Sequence, residues 1–403
     1  MTRCAKHINQ SAIWLTTLSV FLILFGIISG SAITSNPQPQ SLQSQASFKS
    51  NIISTQAIST SKLGIFILSN YSIGAKQIIT AGPKVIKVMD PHLIPSLMEA
   101  AKEYKNRYPE GIVILRIYTP GKKYIVTDDP IGSAEEYFKQ NIEQPLNTLG
   151  SDLSLFDYIE SPNEADNTPV WSTIEEMTWL AKFWKRLAEL NYQKGIKTCA
   201  ASIAVGNVGG SDDEEIGRHI APFVDTLRYL KSIGSAWCYH AYTLQISQDP
   251  EIEQWYSLRY RKFYKYLQSD APDVADIPMI LSEGGIDQSG NQTKSGWKAR
   301  VPANQYVAWL KWFDSEIKKD SYILGTTLFQ IGDSFWSSFD LEPLASQLYD
   351  LLGGTGTPNT SCLKNNTVER SHIDSPGSYS LCNDQDYSSG IDIRSDNVIL
   401  DRS

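Results

Sequence analysis

Histidine, cysteine and methionine each occur only five times in 403 residues. The histidines are scattered, none forms a His-Glu-x-x-His pair, and no two cysteines stand at the close spacing of a zinc site, so no metal is implied. A phosphate loop is missing as well. Val205-Gly206-Asn207-Val208-Gly209-Gly210-Ser211 is glycine-rich, but no Lys-Ser or Lys-Thr follows it. Positive charge is in deficit, with 36 Lys and Arg against 44 Asp and Glu and a net charge of −8. That balance excludes a general nucleic-acid binder, which needs a basic face.

The N-terminus holds a single extended apolar run. Arg3 and Lys6 precede an apolar stretch over 12–28, then the small residues Ser29-Gly30-Ser31-Ala32. This is the order of an export signal. Thr16, Thr17 and Ser19 interrupt the run, which shortens it as a membrane span. Residues 1–33 are therefore expected to be a cleaved signal or a retained anchor. Either alternative puts the rest of the chain outside the cytoplasm, secreted or tethered to a membrane. Residues 34–61, rich in Ser, Gln, Asn and Pro, read as a flexible linker. Cys199 and Cys238 fall in strand-like runs and are expected to be buried thiols. Cys362 and Cys382 bracket a polar segment and are the expected disulfide.

From 62 to 352 strand and helix patterns alternate. Strands are expected over 64–69, 85–89, 112–118, 156–160, 198–205, 237–242, 278–282 and 323–329, most of them continuous apolar runs suited to a covered parallel sheet. Between them, Ser172-Thr173-Ile174-Glu175 reads as a capping box, with Trp179, Leu180, Phe183, Trp184, Leu187 and Leu190 following at helical spacing. Further helices are expected over 216–230, 250–267 and 302–317, with Ser211-Asp212-Asp213-Glu214 as a helix start and Asp128-Asp129-Pro130 as a turn. Eight such units make an α/β chain of (β/α)8 TIM-barrel type. A doubly wound open sheet is the alternative, but it predicts an early nucleotide loop. Beyond 353 the chain turns polar. Ser375–Leu381 and Gly390–Asp401 read as short alternating strands, either an incomplete parallel β-helix or an irregular exported tail.

Two strand ends carry glutamates: Ile159-Glu160-Ser161-Pro162-Asn163-Glu164 and Ile280-Leu281-Ser282-Glu283-Gly284-Gly285. Residues at the C-terminal ends of barrel strands form active sites, and a carboxylate pair is what glycosidic cleavage requires. Asn163-Glu164 after strand four and Glu283 after strand seven, 119 residues later, resemble clan A retaining glycoside hydrolases over about 62–352. Pro162 and Asn163 favour Glu164 over Glu160 as the acid. Tyr239-His240-Ala241-Tyr242 resembles that clan's His-x-Tyr on strand six, and Trp336 follows strand eight where the clan often has a tryptophan under the sugar. One position departs: strand two ends Lys87-Val88-Met89-Asp90, where the clan usually has an arginine supporting the nucleophile. Arg116 on strand three is the nearest candidate.

The resemblance implies Glu283 as nucleophile and Glu164 as acid and base. It also implies Asn163 on the sugar's 2-hydroxyl, Tyr242 donating to Glu283, and His240, Trp336 and Arg116 lining the substrate site. The implied substrate is a polysaccharide or glycoconjugate, with no cofactor. The competing expectation is a barrel that binds surface glycans without cleaving them. Asp90 and Asp333 are rim carboxylates more often used as turn formers.

Overall fold

The computed structural model describes residues 57–354 and the backbone of four short strands beyond them. Eight parallel strands close into a barrel in chain order: β1 (Ile65–Ile67), β2 (Val85–Met89), β3 (Ile112–Arg116), β4 (Tyr158–Glu160), β5 (Lys197–Ile203), β6 (Ala236–Thr243), β7 (Met279–Ile286) and β8 (Ile323–Ile331). Pairing of Ile65 with Leu328 and Ile67 with Ile331 closes it. All eight strands lie where apolar runs predicted them, within a few residues at each end.

Alternation along the strands divides their residues between two environments. Ile86, Val88, Val113, Leu115, Ile159, Trp237, Met279 and Leu281 pack outward in the main core beneath the helices. Val85, Ile114, Tyr158, Cys199, Cys238 and Ile280 point the other way and fill the floor of the lumen. Two residues further along the same faces stand Lys87, Arg116, Glu160 and His240, all buried. The lumen thus changes from apolar to charged in one step toward the C-terminal mouth.

The floor holds one correction. Cys199 and Cys238, expected as free thiols, are joined by a disulfide. β5 and β6 are neighbours with Cys199 opposite Ala236, so Cys238 lies diagonally across the ladder, its Cα 5.4 Å from that of Cys199. That separation suits a disulfide.

Helices α1 (Ile73–Thr80), α2 (Pro95–Arg107), α3 (Pro130–Tyr137), α4 (Glu143–Leu149) and α5 (Ile174–Gln193) cover the first half of the barrel. The second half has α6 (Asp213–Ile220), α7 (Val224–Ser232), α8 (Pro250–Glu253), α9 (Tyr260–Asp270), α10 (Trp297–Arg300), α11 (Ala303–Ile317) and α12 (Ala345–Leu351). The capping box of α5 sits one residue later than expected: Thr173 accepts from the Glu176 amide at 3.1 Å, and Glu176 accepts from the Thr173 amide at 3.1 Å. Asp129 and Asp212 cap α3 and α6. The expected helix over 216–230 breaks at Ala221-Pro222-Phe223, where proline has no amide to continue the ladder. The one over 250–267 breaks after Glu253, whose buried carboxylate takes the Ser257 hydroxyl at 2.6 Å and amide at 3.3 Å.

The last five residues assigned to the linker pack on the barrel instead. The Ser59 amide donates to Gly82 at 2.8 Å, its hydroxyl donates to the Leu352 carbonyl, and Ser61 is buried. The expected signal or anchor and the Cys362–Cys382 disulfide lie outside the described residues. In the tail, β9 (Ser371–Ile373) pairs in parallel with β11 (Ile391–Ile393), and β10 (Gly377–Ser380) with β12 (Val398–Asp401).

Candidate active site

β4 ends at Glu160, and the turn Ser161-Pro162-Asn163 carries the chain to Glu164, whose φ of 38° is in the left-handed region. From there Glu164 Oε1 meets His240 Nδ1 of β6 at 2.7 Å. The same Nδ1 lies 3.6 Å from Glu283 Oε2 of β7. Those two carboxylate oxygens are therefore at most the sum of these distances apart, about 6.3 Å. Tyr242, two residues beyond His240 on the same strand face, donates to Glu283 Oε2 at 2.7 Å. Glu164 keeps a third of its side chain exposed, whereas Glu283 is nearly buried.

Glu283 reaches this place through an irregularity. Ile280 faces the lumen floor and Leu281 the helices, so strict alternation would turn Glu283 outward. The ladder instead pairs Cys238 with Ile280 and His240 with Glu283, fitting one extra residue into β7. Such a bulge re-aims the side chains beyond it. It also frees the Ser282 carbonyl, which accepts from Thr327 Oγ1 at 2.6 Å and from Lys87 Nζ at 2.9 Å.

Lys87 is the residue that sequence reasoning missed. Its ammonium lies 2.8 Å from Glu160 Oε1 and 2.9 Å from Glu283 Oε1, fully buried, with the Phe66 ring centroid 4.3 Å away. It stands on the strand-two position for which the resemblance implies an arginine. The signal was available: a lone lysine in a strand covered on both faces must find a carboxylate inside. Arg116, expected to support the nucleophile, does not. It bonds the Ile117 and Glu160 carbonyls and, among the described residues, forms no ion pair. Its position on β3 places it beside Glu160, and the shorter path to Glu283 belongs to Lys87.

The charges set one another. Burial opposes the charge on His240, but Glu283, Glu160 and Glu164 outweigh it and push the imidazole up to about 10. Carboxylates at both ring nitrogens, 2.7 Å from Nδ1 and 3.3 Å from Nε2, suit a doubly protonated ring. Burial likewise opposes ionisation of Glu283 and Glu160, yet the facing cations hold both below the usual carboxylate range. Burial and the Glu283 charge raise the Tyr242 phenol far above its ordinary value, so it remains a donor. At the rim, burial together with the Glu164 and Glu283 charges raises Asp166 and Asp287. Donor atoms of Glu160, His240 and Glu283 lie within 4.8 Å of one another, a spacing a cation could bridge. The Lys87 ammonium already stands between its two carboxylates.

The remaining expected residues surround this centre. The Asn163 side chain hydrogen-bonds Asp166. Trp336, half-buried, stands edge-on to Phe329 at 5.2 Å and Phe339 at 5.7 Å, within an apolar wall that includes Tyr242 and Phe66. Asp333 caps its own loop, accepting from the Phe335 and Trp336 amides.

No protein-family model matches the chain, and no curated protein matches it. Among solved structures it is similar to a GH128 (subgroup II) endo-β-1,3-glucanase from Pseudomonas viridiflava, at 14% identity and a TM-score of 0.41, covering 73% of this chain and 98% of that one. A hyperthermostable endo-1,4-β-D-mannanase from Thermotoga petrophila is 13% identical with a TM-score of 0.43, covering 68% and 90%. A D-psicose 3-epimerase is 14% identical with a TM-score of 0.36, covering 72% and 97%. Likeness at this level extends over hydrolases and an isomerase alike and assigns no reaction.

Proposed function

We propose that this chain is a retaining glycoside hydrolase, exported from the cytoplasm, that acts on a polysaccharide or glycoconjugate. The observation that carries the reading is the convergence of Glu164 and Glu283 on one nitrogen of His240. A bound of about 6.3 Å between one oxygen of each supports the close spacing of direct attack over the ~6.5–9.5 Å of a water-spaced inverting pair.

In the first step a Glu283 oxygen bonds to the anomeric carbon, the glycosidic carbon–oxygen bond breaks, and the leaving oxygen takes the Glu164 proton. In the second, water attacks the same carbon, gives a proton to Glu164, and the ester bond to Glu283 breaks. Both carboxyl groups return to their starting states. Lys87, Tyr242 and His240 hold Glu283 ionised for the attack. Once Glu283 is esterified and Glu164 has given up its proton, Glu164 serves as base toward the water. Asn163 is assigned to the sugar's 2-hydroxyl and Trp336 to the sugar face.

Export is supported by the order of residues 1–33 and by a disulfide inside the barrel, at home in an oxidising compartment. The tail's parallel pairs, offset by 20 and 21 residues, support reading it as the first coils of a β-helix.

The test is a glycan panel scored by reducing-end release, followed by proton NMR of the product anomer. Turnover with retained configuration is expected, abolished in Glu283→Ala. Glu164→Ala should keep activity on aryl glycosides with good leaving groups and gain from azide. Full turnover in both variants, or glycan binding with no release on long incubation, overturns the proposal.

A further inference from the structure

Glu160 has no part in the two steps above. It exposes no surface, yet like Glu283 it touches both Lys87 and His240: its Oε1 takes Lys87 Nζ at 2.8 Å and His240 Nε2 at 3.3 Å. Each cation in turn holds the reacting pair, Lys87 at Glu283 and His240 at Glu164 and Glu283. Buried charges are tolerated when paired. Two cations, Lys87 and His240, face two buried anions, Glu160 and Glu283. Arg116 of β3 is the other charged group acting on Glu160. Beyond it, Asp90 after β2 faces Arg116, Tyr242 of β6 donates to Glu283, and Asp166 and Asp287 after β4 and β7 face Glu164 and Glu283.

We infer that Glu160 is a positioning residue: it holds His240 as an imidazolium through Nε2, and through His240 and Lys87 it orients and charges the Glu164–Glu283 pair. Its part in turnover rests on the glycosidase reading, whereas its hold on His240 does not. Glu160→Gln keeps the shape and removes the anion. His240 then loses the partner at Nε2, and two cations are left facing Glu283.

The experiment is 15N NMR of the full chain labelled at histidine, with His240→Asn identifying the resonance. In the wild type the His240 ring is expected to keep both nitrogens protonated at pH 8. In Glu160→Gln its midpoint should fall by about one to three pH units, the effect of an opposite charge at contact distance, and Glu160→Asp should recover part of that fall. A ring already neutral at pH 7 in the wild type, or a midpoint unmoved in Glu160→Gln, overturns the inference. Should Glu160→Gln fail to fold, the double variant Lys87→Met/Glu160→Gln removes the ion pair together. Its midpoint must still fall, because Glu160 bonds the ring and Lys87 does not. On the substrate found by the glycan panel, both limbs of the pH–rate profile should move to lower pH in Glu160→Gln. A reduced rate with unmoved limbs marks a scaffold role and overturns the positioning claim. If no glycan is turned over, the glycosidase reading fails while the NMR result still judges Glu160.

Discussion

Lys87 of β2 and Glu283 of β7 meet at 2.9 Å across the barrel lumen, although their strands share no edge. The contact ties the floor of the candidate site together from opposite walls. Its removal leaves Glu160 and Glu283 buried with His240 as the one cation they still share. Breaking a buried pair from one side costs about 3–5 kcal/mol. Lys87→Met should therefore lower the melting temperature by on the order of 10 °C in calorimetry. The acid limb of its pH–rate profile should rise, since Glu283 loses a cation that favours its ionised form.

Stability should also report on His240. Its folded value of about 10 is raised above the ordinary 6.5, so its contribution is complete below pH 6.5 and is lost as pH rises toward 10. Glu160 and Glu283 are depressed, so theirs is present above the ordinary carboxylate range and is lost as pH falls below it. Thermal melts should thus peak between about pH 5 and 6.5. The decline toward pH 10 should flatten in His240→Asn.

Tyr242→Phe removes one hydrogen bond to the nucleophile and keeps the ring in its apolar wall. A hydrogen bond to a charged group contributes about 1.5–3 kcal/mol. The expected loss in kcat/KM is roughly 10- to 150-fold, and the melting temperature should fall as well, because a buried carboxylate oxygen loses its donor.

The Cys199–Cys238 disulfide closes a loop of 39 residues. A chain-entropy reading assigns it about 4 kcal/mol. Non-reducing peptide mapping should recover the linked pair, and the double alanine variant should lose stability of that order in urea titration.

The barrel was legible because eight apolar runs, each bounded by turn-forming residues, leave few architectures. The glutamate pair was legible from its place at two strand ends. What escaped depends on register. Cys199 and Cys238 become neighbours only through the β5–β6 offset, and no spacing along the chain reveals that. Glu283 faces inward only because β7 carries an extra residue, where plain alternation points Ser282 into the lumen. Lys87 and Glu160 were visible as charges in apolar strands, but they stand 73 residues apart in the chain, and Glu283 lies 196 residues from Lys87. The linker end was misjudged because its small polar residues carry no hint that Ser59 and Ser61 are held by the barrel's underside.

The carbonyl that the bulge releases has one more effect. An ammonium carries three N–H groups, and Lys87 finds three acceptors: Glu160, Glu283 and the Ser282 oxygen. The socket is saturated and its geometry is that of a compact, rotatable head. A guanidinium would bring five donors in a rigid plane to the same three acceptors, so the strand-two cation of this barrel is matched to lysine by coordination number as well as by charge.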